Sequence, residues 1–480
     1  MAATIRNDSD VPTLPALLLL KNLYGDFPNF LRETSARYGP IVRFKGRLRL
    51  TRQNVYFVNE PAAIEEILVS KGTAFEKSRG ARRLRQIVGK GLLTSDEPQH
   101  LAHRRLIQPA FHRKRLEEFA RVMAGATAQR VESWREGESI DVDAEMNRLA
   151  LEIVSNALFG VDLRGDMDEI ARSLDVAMGM YHFWQSPFTE LLDDWPLPNV
   201  LRFKAARKRL RDVVIRIVAQ HRAERIERGD LVSMLLAARD ENGRGGLSDE
   251  SVRDEALTIL LAGHETTANA LAWTFYVLQR RPDIEAALQR HVERVLGDRP
   301  VTFDDVARLD YVRAVFAETM RLYPPAWITS REALAPVTIG GVVLRAGDLA
   351  IVSPYVTHRD PRFWPDPERY DPSRFLGAIG GHAAPISTGP VGERERYAYF
   401  PFGGGSRMCI GDSFAWTEGV IALATIVQSV RLERIGTGDI KPLALVTLRP
   451  RTPIAARVRR RRQPAGSLPY APAGHFEIQA

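Results

Sequence analysis

Between residues 115 and 230 apolar side chains recur every three or four positions, the spacing of one face of an α-helix. The clearest stretch carries Phe203, Ala206, Leu210, Val213, Val214, Ile217 and Val218 with arginines on the other side, and Gly229 stands where such a helix would stop. That stripe reads as a core-facing side, not as a cofactor box. A longer helical pattern runs from about Ser248 to Gln279, and Pro61 opens a short one with Ile64, Ile67 and Leu68 inward. Strand-like runs are few: Ile41 to Phe44, Val55 to Val58, Leu443 to Leu448, and a hairpin from Val337 to Leu344 around Gly340-Gly341. The pattern predicts a mainly helical chain with a small strand-rich region.

Several stretches break the periodicity. Residues 72 to 95, rich in glycine and arginine, read as a long loop. Met178 to Phe188 is aromatic and interrupted by Gly179 and Pro187, as suits a flexible apolar lid, with core packing an equal alternative. Pro361 to Pro372 reads as a proline-rich meander, Gly377 to Gly392 as a polar surface loop, and the chain frays from about Gln463. A length of 480 residues admits two or three domains, but neither linker nor repeat divides the middle, so one large domain is open too.

Composition narrows the class. The chain is 45% hydrophobic and 26% charged, enough apolar material for a large core. Its single cysteine excludes an internal disulfide framework and suits a reducing cytoplasm. The cluster Leu14 to Leu20 ends at Lys21, too short for a bilayer span and without a signal peptide's flanks. A soluble, cytoplasmic protein without a transmembrane anchor is expected. The net charge of +8 includes a concentrated run from Arg457 to Arg462, but no nucleic-acid motif accompanies it, so it reads as a solvated tail.

That lone cysteine, Cys409, stands in Phe402-Gly-Gly-Gly-Ser-Arg-Met-Cys409-Ile-Gly411. An apolar helical segment follows it. A glycine turn would then present one sulfur at a helix N-terminus, where free N–H groups favour a thiolate. A lone cysteine is ordinarily a small buried hydrophobe, yet packing needs neither three glycines nor an adjacent cation. A second unusual segment lies within the long helical pattern: Ala262-Gly263-His264-Glu265-Thr266-Thr267. Glycine and paired threonines cost up to roughly 1 kcal/mol each inside a helix relative to alanine, which a close-lying flat cofactor would explain.

The cysteine segment resembles the haem-binding signature of the cytochromes P450, in which the thiolate is the proximal iron ligand. Three further segments match that family in order. Ala262 to Thr266 is similar to its distal-helix motif, implying that Thr266 hydrogen-bonds the oxygen there and Glu265 helps relay protons, with Ala262 and Gly263 lining the pocket. Glu318-Thr-Met-Arg321 matches its Glu-x-x-Arg helix, and Pro372-Ser-Arg374-Phe375 supplies the arginine that completes a buried structural network with Glu318 and Arg321, a serine replacing the common acidic residue. His100 and Arg104, four apart on a helix begun after Pro98, would contact the haem propionates, as would Arg331 and Arg407. Phe402 and Gly411 complete the signature around Cys409. Ile87, Val88, Phe183, Trp327 and Ile328 are candidate substrate contacts.

The resemblance implies a P450 fold, mainly α with a small β-rich region, in one haem domain over residues 35–462, with a lead-in at 1–34 and a disordered tail at 463–480. It implies haem b (iron protoporphyrin IX) held by Cys409, and a monooxygenase that inserts one atom of O2 into an apolar substrate of fatty-acid, terpenoid or polyketide type. The Ala-Gly-His-Glu-Thr-Thr form leans toward long-chain or terpenoid substrates. Electrons would come from a ferredoxin or flavodoxin with an NAD(P)H reductase. Alternatives are a haem-thiolate peroxygenase or isomerase, whose distal helix departs from the acid-threonine pair kept here, and a non-catalytic haem sensor.

Overall fold

The computed structural model describes residues 10–23, 25–46, 53–161, 165–184, 195–224, 230–237, 246–377 and 395–461, without the side chains of 181–184 and 224. The helices that build the site are α1 (Phe27–Tyr38), α2 (Gln99–Ile107), α3 (Arg113–Ser133), α4 (Val142–Leu158), α5 (Met167–Trp184), α6 (Pro198–Glu224), α7 (Asp249–Leu278), α8 (Asp310–Leu322) and α9 (Asp412–Ser429). At 30 residues α7 is about 45 Å long and runs through the centre of the molecule. The Ser248 hydroxyl caps its start, accepting the Ser251 N–H. Buried side chains surround it on nearly every side because α4, α6, α8 and α9 all pack against it.

The strands are β1 (Thr13–Pro15), β2 (Ile41–Lys45), β3 (Val55–Val58), β4 (Phe75–Lys77), β5 (Ser139–Asp141), β6 (Thr329–Ala333), β7 (Val337–Ile339), β8 (Val342–Leu344), β9 (Leu349–Val352), β10 (Val430–Arg434), β11 (Pro442–Ala444), β12 (Leu448–Pro450) and β13 (Ala455–Arg460). A six-stranded sheet has the order β1-β2-β3-β9-β6-β4, and β10-β13-β5 form a second sheet. Two hairpins, β7-β8 and β11-β12, stand apart. The β7-β8 turn uses Gly340 and Gly341 at φ +53° and +82°, the left-handed conformation that glycine adopts without penalty. One large core joins the helices, and two smaller ones lie on opposite faces of the six-stranded sheet.

Several expectations change here. Residues 72–95 are not a loop: they hold β4 and two short helices, Arg79–Arg83 and Arg85–Val88. The sequence hides them because each element is too short to show a period. The lid expected from Met178 continues α5 as helix to Trp184, with Met178 and Met180 buried, while 185–188 fall outside the described residues. The expected boundary at residue 35 falls inside α1, and β1 pairs in parallel with β2, so the N-terminal segment is part of the sheet.

Arg457 to Arg460 of the arginine run are strand, not tail, and Arg462 lies outside the described residues. Arg459 pairs with Glu433 and Glu136, Arg460 donates to the carbonyls closing α3, and Arg461 binds Glu285 and Gln289. Arg459 and Arg461 thus have carboxylate partners within the fold. Gly229, the loop 378–392 and the tail from 463 lie outside the described residues. Among the described residues no helix is long and apolar enough to cross a membrane.

Candidate active site

The cysteine loop is shaped by main chain pressed against main chain. The Cys409 N–H donates to the Phe402 carbonyl at 3.0 Å and the Met408 N–H to that of Gly405 at 3.1 Å. A Cβ on Gly405, whose φ is +69°, would lie 2.0 Å from the Leu68 carbonyl oxygen, and one on Gly404 2.5 Å from the Tyr397 hydroxyl. The glycines are therefore demanded by the neighbouring turn and ring, not only by the approach of a flat ligand. Phe402 is half-buried, its ring 6.3 Å from that of Trp416. From α2, Arg104 donates to the Met408 carbonyl at 2.6 Å, holding the residue next to the cysteine.

The sulfur's electrostatics correct the sequence reading. Burial, aided by Asp412, pushes the Cys409 thiol up to about 11, against the Gly411 N–H and Arg104. Cys409 lies three residues before the first turn of α9, so the helix terminus does not by itself make a thiolate. Yet the side chain keeps accessible surface. A thiol both desolvated and accessible faces an internal space rather than bulk water. A metal bound there would supply what the chain alone does not, a charge that favours the thiolate.

The same contrast marks α7. Within the stretch from Asp254 to Leu278, otherwise buried, Ala262 is exposed and Gly263 and Thr266 are half-exposed, a strip one turn long. Thr266 donates its hydroxyl to the Ala262 carbonyl at 2.8 Å. Gly263 also has a packing reason, since a Cβ there would meet Val154 of α4 at 3.3 Å. Glu265 turns elsewhere: it is buried, and its Oε1 accepts the Thr447 hydroxyl at 2.6 Å. Burial holds its carboxyl above the ordinary range, with Thr447 and Arg449 opposing.

Convergent cations mark where an anionic group would lie. In the antiparallel pair β4-β6, Lys77 stands directly opposite Arg331. Like charges in that position repel. Burial first, then Arg331 and Arg407, lower Lys77 to about 7, and burial with Arg407 lowers Arg331 to about 10. Arg331 bonds only Thr329 Oγ1 and the Ser330 carbonyl and, among the described residues, has no carboxylate within 4 Å. Arg407 donates to the Ser95 carbonyl at 3.0 Å, with Asp96 and Glu97 at 3.9 and 3.7 Å. His100 is buried, bonds Glu97 at 2.9 Å, and is held near 4 by burial and Arg407. Three cations crowded together with Arg331 unanswered fit a group carrying two carboxylates. Lys77 was not anticipated from sequence, because only the β4-β6 register puts it opposite Arg331.

The remaining expected residues divide. Glu318 and Arg321 form a buried pair that Arg374 approaches at 3.4 Å. Ile87 and Val88 are fully buried, and Trp327 packs edge-on to Phe27 while its indole N–H donates to the Leu445 carbonyl. These three side chains pack into the hydrophobic cores. Ile328 is half-buried, and the Phe183 side chain lies outside the description.

An accessible yet desolvated thiol, an accessible strip on a buried helix and a cation cluster are the parts that a haem-thiolate site would need. Comparison agrees: the model of the cytochrome P450 family matches residues 10–454. The chain is 37% identical over 404 residues to cyclooctatin synthase of Streptomyces melanosporofaciens (84% of this chain, 85% of that one). It is 32% identical over 422 residues to pentalenene oxygenase of Streptomyces avermitilis (88% and 90%). Among solved structures the cytochrome P450DA heme domain superposes with TM-score 0.80 at 27% identity, covering 94% of this chain and 98% of that one. This chain belongs to the cytochrome P450 family, and it is an oxygen-incorporating oxidoreductase with a haem cofactor.

Proposed function

We propose that this chain is a haem b monooxygenase that hydroxylates or epoxidises an unsaturated, largely hydrocarbon substrate of terpenoid type, in a reducing cytoplasm, with electrons from a ferredoxin or flavodoxin. The observation that carries the reading is the accessible Cys409 thiol, together with an Arg331 that faces Lys77 and has no carboxylate partner among the described residues. The relatives' names support the substrate class: pentalenene is an alkene, and a second relative from Streptomyces melanosporofaciens, 33% identical, is cyclooctat-9-en-7-ol 5-monooxygenase, named for an unsaturated alcohol.

Haem held by Cys409 would supply the activation of dioxygen and the oxidising power. The chain's own groups do the rest. Arg104 fixes the loop that aims the sulfur, and the Gly411 N–H moderates its charge. Lys77, Arg331, Arg407 and His100 would take the propionates. The Thr266 hydroxyl, resting on the Ala262 carbonyl, would serve the bound oxygen, and Glu265, its carboxyl held above the ordinary range by burial, is the neighbouring acid that would pass a proton.

The test is twofold. Cyclic terpene alkenes and alcohols should shift the Soret band from low to high spin and, with NADPH, reductase and ferredoxin, give products heavier by one oxygen. Thr266→Ala should keep haem but divert electrons to hydrogen peroxide. Fatty acids shifting the band while terpenes leave it unmoved would overturn the substrate class, and unchanged coupling would remove Thr266 from the mechanism.

A further inference from the structure

The turn between β11 and β12 is fastened to α7 along one face. Glu265, Asn269 and Trp273 stand four residues apart, hence in line on the helix. The Thr447 hydroxyl accepts from the Asn269 amide at 3.1 Å and donates to Glu265 at 2.6 Å, and the Trp273 indole donates to the Leu448 carbonyl at 3.1 Å. Two residues past Thr447, Arg449 stands on the strand that closes the hairpin. Its guanidinium binds Asp175 of α5 at 2.8 Å. One short hairpin therefore links the buried Glu265 carboxyl to an ion pair whose acid is two-thirds exposed.

We propose that Arg449, held by Asp175, is a positioning residue for Glu265: it braces the hairpin that places the Thr447 hydroxyl on that carboxyl, and its charge is shared between Asp175 and Glu265. This rests on reading Glu265 as the proton source. The transfer is a simple one. The Glu265 side chain swings from Thr447 toward Thr266 and gives up its proton there, and the carboxylate returns to accept the Thr447 hydroxyl, stabilised by Arg449, until a proton from water restores it. Arg449 pulls the Glu265 carboxyl down while Asp175 pushes it up. The same field reaches Asp143 of α4, which burial and Asp141 raise to about 6, and His264, held near 4 by burial against Asp175. Asp143 is the further titratable group in reach of Glu265, whose negative charge helps to raise it.

The experiment follows product formed per NADPH against pH in the reconstituted holoenzyme. If protonated Glu265 is the donor, coupling falls as pH rises through its titration. Arg449→Gln removes a favourable cation and should move that midpoint up, by roughly half a unit or more for a partly buried pair. Asp175→Asn frees the same cation to act on Glu265 and should move it down. Thr447→Val should move it up, and Arg449→Lys should restore the wild-type value. Opposite shifts from the two members of one ion pair are not the signature of general loosening, and the carbon monoxide difference spectrum verifies that each variant keeps its haem. Midpoints that stay fixed, or that move the same way in Arg449→Gln and Asp175→Asn, overturn the proposal. Glu265→Gln separates the two levels: a limb that survives it sinks the proton-source reading itself, whereas a limb that vanishes while the Arg449 and Asp175 variants leave it in place sinks only the role of the pair.

Discussion

Arg321 meets Glu318, one turn back on α8, through two parallel bonds of 2.7 and 2.9 Å, and neither side chain is exposed. The other guanidinium donors reach the carbonyls of His358 and Pro367 at 2.8 and 2.7 Å and of Arg369 at 3.2 Å. Glu318 in turn accepts the Asp371 N–H at 2.7 Å. A helix is thereby tied to the proline-rich meander by groups that have no water to fall back on. The pair acts as a clamp.

Arg321→Lys should therefore be severe although it keeps the charge. An ammonium cannot reproduce the fork, and carbonyls are left without donors. The expected cost is about 3–5 kcal/mol. It should be read as haem-free or insoluble protein, and a lysine variant melting with the wild type would refute the clamp.

Gly405 and Gly403 offer a matched pair. Both have positive φ, +69° and +73°, but an alanine Cβ at 405 strikes the Leu68 carbonyl while one at 403 finds nothing within 4 Å. Gly403→Ala should cost about 1 kcal/mol from backbone strain, and Gly405→Ala clearly more, with partial loss of haem. Equal thermal midpoints for the two variants would show that the contact with Leu68 does not shape the loop.

Lys77→Met should change sign with haem. Without it, removing one of two opposed cations relieves repulsion, so the apoprotein should melt higher. With it, a charge-assisted hydrogen bond to a propionate is lost, worth about 1.5–3 kcal/mol, so haem should pass to apomyoglobin roughly tenfold to a hundredfold faster. A uniform effect on both forms would remove Lys77 from the propionate set.

Glu418 on α9 predicts a pH effect. It is fully buried, neither carboxyl oxygen has a full hydrogen-bond partner, and only Thr267 offsets the burial that pushes it well above the carboxylate range. The folded protein thus binds a proton that the unfolded chain releases near pH 4.3. Its contribution to stability is complete below that value and is lost as pH rises toward the folded titration point, at about 1.4 kcal/mol per unit. Glu418→Gln cannot ionise, so its thermal midpoint should gain on the wild type from pH 5 to pH 8. A difference that does not vary with pH would mean that Glu418 is not protonated in the fold.

Local pattern was enough for the cysteine loop, the α7 strip, the Glu318–Arg321 pair and most long elements, because each is set by residues within a turn or two of one another. A helical period, a glycine before a cysteine and an acid three before a base are short-range facts, and the chain order carries them whole. What tertiary structure alone decided depends on distant segments meeting. The β4-β6 register set Lys77 against Arg331, the six-stranded sheet took in residues 13–15, β13 absorbed Arg457 to Arg460, and packing placed Ile87, Val88 and Trp327 in the cores. The sulfur's proton affinity belongs there as well: a helix start nearby favours the thiolate, but desolvation by residues from across the chain outweighs it, and burial is a property that no single stretch of sequence can express.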